Sequence, residues 1–376
     1  MADAHPTYRI LLVDDQPLVA SAVRDLFSGE DDLVLQAETE AAAAVEAALA
    51  FRPDAILQDL SMPDADGMTL LEFYRAHDVL SSVPVLILSA REEPETKARA
   101  FALGASDYLV KLPERVEFLA RIRHHAQAFQ DASRRAAAEA ALRRELDEAG
   151  AFVRSLLPPP VKGKSDWTLA VCSALGGDVL DLLPLPGGRE AFYVLDVCGH
   201  GVGSALLATA VLLGLRARSL PDADYADPGS VLSALARAFP SGPDGKFFTC
   251  FYGVADAATR RIRYASAGHP PALFLPAGDP AGAVFLEGAA PPLGVLGDFP
   301  YSTKEFVPPG PGRLLVFSDG CYEFERADGS RGSLKQFRDF FVSRPDATGA
   351  DLLSRVRELT GRDALEDDFT FLSLSV

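Results

Sequence analysis

Cysteine, basic charge and long apolar runs are all scarce in this chain of 376 residues, and each shortage removes a class of function. The four cysteines, Cys172, Cys198, Cys250 and Cys321, lie far apart without a CxxC pair, which excludes a cysteine zinc site and a disulfide framework. They read as reduced core thiols of a cytoplasmic protein. The 36 basic residues are outnumbered by 53 acidic ones, a formal charge of −17, so neither nucleic acid nor an anionic membrane surface is an expected partner. The longest apolar run, Ala205 to Leu215, is too short to cross a bilayer, and the start MADAHPTYRI lacks the basic and apolar regions of a signal peptide. The expectation is a soluble protein without membrane insertion.

What is present falls into three zones. Up to about residue 125, short apolar runs (RILLV, LVLQA, DAILQ, VPVLILS, SDYLV) alternate with helical stretches such as Pro17 to Phe27 and Thr69 to His77. This rhythm predicts a doubly wound, five-stranded parallel sheet, an α/β fold. Glu114 to Leu157 is rich in alanine, arginine and glutamate, has no internal proline, and predicts one helix of roughly 65 Å at about 1.5 Å per residue. From about Asp166 onward, AFYVLDV, FFTCFYGVAD, RIRYASA, RLLVFSD and FTFLSLSV flank two helical stretches, Gly203 to Arg216 and Gly229 to Phe239. That pattern predicts an α+β domain, an antiparallel β-sandwich flanked by helices. The domain expectation is 1–125, a helical linker over 126–160, and 161–376.

In the first zone Asp14 and Asp15 end the first strand, Asp59 the third, Ser89 the fourth and Lys111 the fifth. A parallel sheet brings such ends to one edge, where ligands bind. Three carboxylates there repel one another unless a hard cation such as Mg²⁺ intervenes, and the Lys111 ammonium suits a phosphoryl group. A single Asp could merely cap a helix, but five such residues at strand ends make that reading poor. LLVDDQ, LQDLSMPDADG, ILSA and GASDYLVKLP resemble the receiver domain of two-component response regulators over about 120 residues. The resemblance implies that Asp59 accepts a phosphoryl group from a histidine kinase or phosphotransfer protein. It further implies that Asp14 and Asp15, with Asp59, hold Mg²⁺, and that Ser89 and Tyr108 form a switch beside Lys111. One departure is Leu112, which separates Lys111 from Pro113.

In the helical zone Leu119, Ile122, Ala126, Phe129, Ser133 and Ala136 repeat by three and four, and Leu142, Leu146, Ala149, Val153 and Leu156 repeat in another phase. Two readings stand open: a homodimeric coiled coil with a phase slip within Ala136 to Ala141, or a spacer packing one face on a domain. LGGDVL echoes the signature of diguanylate cyclases, but Val179 and Leu180 replace the required acid and phenylalanine.

In the third zone, the question is what needs a carboxylate in VLDVCGHG, since burying one costs several kcal/mol without compensation. Asp178, Asp196, Asp319 and Asp367 each stand where an apolar strand begins or ends, beside a glycine or a second acid. One alone reads as a turn residue; four suggest an oxygen-lined pocket for Mg²⁺ or Mn²⁺. These motifs, with TCFYGVAD, YASAGHPPAL and PPLGVL, resemble the metal-dependent type 2C serine/threonine phosphatases of the bacterial sporulation and stress-response branch, over about Asp166 to Val376. The resemblance implies two Mn²⁺ or Mg²⁺ ions with Asp196 between them, Asp178 and the Val197 carbonyl on one, and Asp319 with Asp367 on the other. Asp368 is set aside in favour of its neighbour. His200 is either the acid that protonates the leaving oxygen or a structural turn residue. His269 reads as structural, and His124 and His125 as solvent-facing. No counterpart of the phosphate-gripping arginine of eukaryotic relatives is found. The implied substrate is a phosphorylated anti-sigma-factor antagonist in a partner-switching pathway. The alternative is a non-catalytic adaptor whose Asp59 phosphorylation exposes a protein-binding surface.

Overall fold

A computed structural model describes residues 7–63, 65–90, 92–159, 161, 164–240 and 245–376. Asp64, inside the LQDLSMPDADG motif, and Pro160, just beyond the predicted long helix, lie outside the described residues. Two compact units are present, Met1–Ala141 and Leu142–Val376.

The first unit runs β1 (Tyr8–Val13), α1 (Pro17–Phe27), β2 (Leu33–Glu38), α2 (Ala44–Phe51), β3 (Ala55–Gln58), α3 (Gly67–Ala76), β4 (Val85–Ser89), α4 (Pro94–Ala102), β5 (Asp107–Val110) and the start of α5 (Arg115–Ser155). Its five strands are parallel in the order β2-β1-β3-β4-β5, as the alternation predicts. Alternate residues of β1 feed opposite faces: Leu11 and Val13 join one core, Ile10 and Leu12 the other. The strand order reverses between β1 and β3, the switch point at which such sheets bind ligands.

The predicted long helix is continuous, but the first seam is not a free face. Leu119, Ile122 and Ala126 are buried in one core of the first unit and Phe129 packs against the core on the other face of its sheet, which realises the packed-spacer reading for this half. His125 is a correction. It turns inward, its Nε2 3.3 Å from Asp107 Oδ2, because Arg121 and Asp107 already form a polar cluster on that face; His124 is exposed, as expected.

The second unit continues with β6 (Ser165–Ala170), β7 (Val179–Leu185), β8 (Arg189–Val197), α6 (Val202–Arg216), α7 (Pro228–Ala238), β9 (Phe248–Asp256), β10 (Arg261–Ala267), β11 (Ala272–Pro276), β12 (Val284–Leu286), β13 (Lys304–Phe306), β14 (Gly312–Phe317), α8 (Leu334–Ser343), α9 (Gly349–Thr360) and β15 (Phe369–Ser375). Two five-stranded antiparallel sheets form, β13-β10-β9-β8-β7 and β12-β11-β14-β15-β6. Their inner faces meet through Phe192, Val194, Phe251, Phe274, Val316 and Leu372. Tyr193 and Leu195 point the other way and bury against α6 and α7, while α8 and α9 cover the opposite sheet through Phe337, Phe341, Leu352 and Val356. The sandwich is therefore flanked on both sides, which explains why β8 carries the unbroken apolar and aromatic run Ala191 to Leu195. The sequence predicts two helices in this zone; α8 and α9 are additional. Each carries an apolar stripe, Phe337 and Phe341 on α8 and Leu352 and Val356 on α9, behind a side-chain cap: Ser333 accepts from Gln336 N, and Thr348 forms a capping box with Asp351.

Candidate functional sites

At the switch point of the first unit, Asp14, Asp15 and Asp59 each offer an oxygen within 4.8 Å of the others. Lys111 Nζ lies 2.7 Å from Asp14 Oδ2 and 3.0 Å from Asp59 Oδ1. Burial raises the Asp14 pKa, and the Lys111 hydrogen bond pulls it back. Asp15 Oδ1 and Asp59 Oδ2 are buried without a hydrogen-bond partner, the situation a divalent cation would relieve. Gln58 steadies the site from below, donating to the Asp59 carbonyl at 2.8 Å while accepting from Tyr74 Oη at 3.0 Å. Ser89 is buried at the end of β4, its carbonyl accepting from Lys111 N at 2.9 Å. Tyr108 is buried too, with Lys97 Nζ 5.5 Å from its ring centroid. The Lys111–Leu112 peptide bond, where the sequence departs from Lys-Pro, is cis. A cleft of about 660 Å³ opens beside Asp15, lined by Met62, Thr96 and Arg99 among others.

In the second unit, strand direction gathers the acids at one end of the sandwich. Asp178 precedes Val179, which pairs with Leu195, so it faces Asp196 near the end of β8. Asp319 follows β14 and Asp367 precedes β15, and those strands are neighbours. The two pairs share one electrostatic field. Asp196 is pushed up to about 7 by burial first, then by Asp319 and Asp367. Asp319 is pushed up to about 6 by burial, then by Asp367 and Glu323. Asp178 is raised well above the usual range by burial, then by Asp196 and Asp368. Asp367, though open to solvent on one side, is raised by partial desolvation, and the Asp368 backbone N–H and nearby His200 oppose the rise.

Both carboxyl oxygens of Asp178 are buried without a hydrogen-bond partner. This donor set, all oxygen and mutually repelling, fits divalent cations of the Mg²⁺ or Mn²⁺ kind. Among the described residues, Asp14, Asp15 and Asp59 are the group of three that closes to within 4.8 Å; Asp178, Asp196, Asp319 and Asp367 do not close so tightly. Such spacing suits hydrated cations sharing ligands.

Asp368 has a different job from Asp367. Its Oδ1 accepts from Cys172 N at 2.9 Å and its Oδ2 from Gly177 N at 2.6 Å, so it straps the loop carrying Asp178 to β15. Asp367 remains exposed, Oδ1 accepting from Asp368 N at 2.8 Å. Gly177 is needed for closeness: a Cβ there would stand 2.7 Å from the Val197 carbonyl oxygen. His200 is exposed in the turn before α6. His269 is buried, shares a 2.7 Å hydrogen bond between Nδ1 and Thr249 Oγ1, and is pushed down to about 3 by burial, so it is neutral and structural. Sequence reasoning missed the Asp368 strap and Lys246, whose Nζ lies 3.0 Å from Ser204 Oγ at the start of α6. A lone lysine in DGKFF carries no signal by itself.

Comparison with known proteins agrees with this division. Residues 186–376 match the family described as Stage II sporulation protein E (SpoIIE), and residues 10–123 match the response regulator receiver domain. Phosphoserine phosphatase RsbP of Bacillus subtilis is 29% identical over 230 residues, 57% of this chain and 52% of that protein. The KDP operon transcriptional regulatory protein KdpE of Escherichia coli is 40% identical over 114 residues, 30% of this chain and 49% of that one. The chain thus spans about half the length of these curated relatives. The SiaA-PP2C domain of Pseudomonas aeruginosa superimposes with a TM-score of 0.56 at 21% identity, over 64% of this chain and 99% of that one, a likeness of fold. Among the described residues no helix is long and apolar enough to cross a membrane.

Proposed function

Because this chain belongs to the stage II sporulation protein E family and carries a response regulator receiver ahead of that region, we propose that it is a phosphorylation-controlled protein phosphatase. The observation that carries this reading is the convergence of Asp178, Asp196, Asp319 and Asp367, with both Asp178 oxygens buried and unpartnered. We assign residues 1–125 to the receiver, 126–160 to the linker and 161–376 to the phosphatase.

In this reading Asp178, Asp196, Asp319 and Asp367, with the Val197 carbonyl, would hold the Mn²⁺ or Mg²⁺ ions. When bound, such cations polarise phosphoryl oxygens and supply an activated water. Asp368 keeps the Asp178 loop in place, and His200, beside Asp367, donates a proton to the departing serine or threonine oxygen. In the receiver, a carboxylate oxygen of Asp59 attacks the phosphorus of a kinase or phosphotransfer-protein phosphohistidine, and the imidazole nitrogen leaves. Asp14 and Asp15, with Asp59, hold Mg²⁺ there. Lys111 neutralises the new phosphoryl group, and Ser89 and Tyr108 register it. Phosphoserine or phosphothreonine on an anti-sigma-factor antagonist is the substrate we favour, in a cytoplasmic partner-switching pathway. The similarity to a phosphoserine phosphatase supports that choice of residue. Homodimerisation through α5 is part of the reading, since Leu142 and Phe152 are exposed on its second half.

The test is phosphate release from a phosphoserine peptide in Mn²⁺. Asp196→Asn and Asp319→Asn should each lower the rate by more than about 100-fold, beyond what loss of an outer-sphere contact does. Undiminished release in excess chelator overturns the proposal.

A further inference from the structure

A phosphomonoester carries up to about two negative charges at neutral pH. The end of the sandwich that would receive it already holds Asp178, Asp196, Asp319, Asp367 and Glu323, whose mutual fields raise several of their pKa values. Cations that offset these carboxylates leave the incoming phosphoryl oxygens in need of a protein donor.

We propose that Lys246 is that donor, the side chain that binds the phosphoryl group of the substrate; the inference rests on the phosphatase reading and names a residue of the same site. Backbone register brings it there. Thr249 pairs with Asp196 and Phe248 with Val197, and the ladder runs on as Cys198 N donates to the Phe247 carbonyl at 3.0 Å. Lys246 is the next residue outward, alongside the Gly199–Gly201 turn. Its Nζ bonds Ser204 Oγ at 3.0 Å, and its stem lies over Gly203, where an added Cβ would meet Cε at 3.1 Å. Ser204 is itself built into the site: its Oγ donates to the Cys198 carbonyl at 3.3 Å, and its Cβ is 3.3 Å from where a Cβ on Gly177 would stand. Gly177 precedes Asp178.

The placement is unfavourable without an anion. An ammonium at the first turn of α6 faces the positive end of the helix macrodipole. The N-cap is Gly201, with no side-chain cap, so the first amides of α6 share that polarity. Among the described residues Lys246 forms no ion pair with a carboxylate. A phosphoryl group seated between the carboxylate end and α6 would receive a charge-assisted hydrogen bond from Lys246. It would also reverse the electrostatic cost of placing a cation there.

The test titrates inorganic phosphate, the reaction product, into the Mn²⁺-loaded full-length protein by calorimetry, comparing wild type with Lys246→Ala, Lys246→Arg and Lys246→Gln. The expected result is phosphate affinity at least about tenfold weaker in Lys246→Ala and Lys246→Gln and partly restored in Lys246→Arg, with Mn²⁺ affinity unchanged. Lys246→Gln retains a polar group for Ser204, so a fall there reports lost charge. With a phosphoserine peptide, the same variants should raise KM more than they lower kcat. Equal phosphate affinity in all four proteins overturns the inference, as does a wild type that binds no phosphate. A change in Mn²⁺ affinity with phosphate affinity preserved also overturns it, because Lys246 then only balances the carboxylates. A wild type that binds phosphate through Lys246 but hydrolyses no peptide overturns the phosphatase reading alone.

Discussion

Asp196 and Asp319 hold protons at pH values where an exposed aspartate holds none, because burial and neighbouring carboxylates oppose their ionisation. In the unfolded chain both titrate near the ordinary value of about 3.9. Between that value and about 7 the metal-free folded protein keeps protons that the unfolded chain has lost, so stability falls as pH rises through the window. We therefore expect the metal-free protein to melt at lower temperature at about pH 8 than at about pH 5. Mn²⁺ should restore the midpoint at the higher pH, and Asp196→Asn should flatten the fall. A metal-free midpoint that climbs over the same range would contradict this electrostatic picture. The Asp368 strap yields a second expectation: Asp368→Ala leaves the amides of Cys172 and Gly177 without an acceptor, at about 1–3 kcal/mol for each buried group. Denaturant unfolding measures that loss, and a change below about 0.5 kcal/mol would sink the strap. The four gathered acids were legible because each borders an apolar strand beside a glycine or second acid. Which member of Asp367–Asp368 turns toward the amides was not, since adjacent residues in sequence differ only by the fold's choice of face. Lys246 was illegible for a related reason: a single loop lysine has the same local pattern whether solvated or built into a site.

At the scale of elements, the longer strands and α1, α3, α5, α6 and α7 follow from apolar period and length, whereas α2, α4 and several short strands are not among the elements read from the sequence, and α8 and α9 were missed because charged residues such as Arg338, Asp339, Arg355 and Glu358 interrupt their apolar stripes. The helix α5 is the element whose sequence pattern is most ambiguous. A three-and-four repeat serves a coiled coil or a domain face equally, and Leu119, Ile122 and Ala126 are spent on the latter. Its second half also has a packed side. Just past its end, Leu156 and Leu157 pack against the α6–α7 core, and Arg216 bridges buried Asp181 at 2.8 Å and the Leu156 carbonyl at 2.7 Å. Gly150 lets helix and loop approach closely, since a Cβ there would stand 2.6 Å from the Ala174 carbonyl oxygen. Ala174 belongs to the loop that ends in Asp178, and a small cleft there is lined by Gly150, Val153, Leu175 and Asp178. Gly150→Val should therefore force helix and loop apart, costing about 1–3 kcal/mol of stability, and should raise the Mn²⁺ concentration needed for half-maximal activity. Unchanged melting and Mn²⁺ dependence would show that the helix does not bear on the loop.

For the whole molecule, two compact units share one continuous helix, and a receiver can control a phosphatase only by favouring one of two pre-existing arrangements. Inserting two or four alanines after Ala138 turns everything beyond by about 200° or 40°, at roughly 100° per residue. Loss of phosphorylation control with two residues and its better preservation with four would identify rotation through the helix; equal responses would leave it a tether. The sequence made both ends of this device readable, because each set of acids occupies strand ends in a fixed order. The coupling was less readable, because a helix's pattern does not say what covers each face. The central claim, a phosphatase commanded by Asp59, is tested most directly by one rate. Phosphate release from a phosphoserine peptide in Mn²⁺ is measured before and after treatment with acetyl phosphate and Mg²⁺, for wild type and Asp59→Asn. The account predicts faster release by treated wild type and no response in Asp59→Asn. Release that ignores treatment in wild type, or that responds equally in Asp59→Asn, would contradict it.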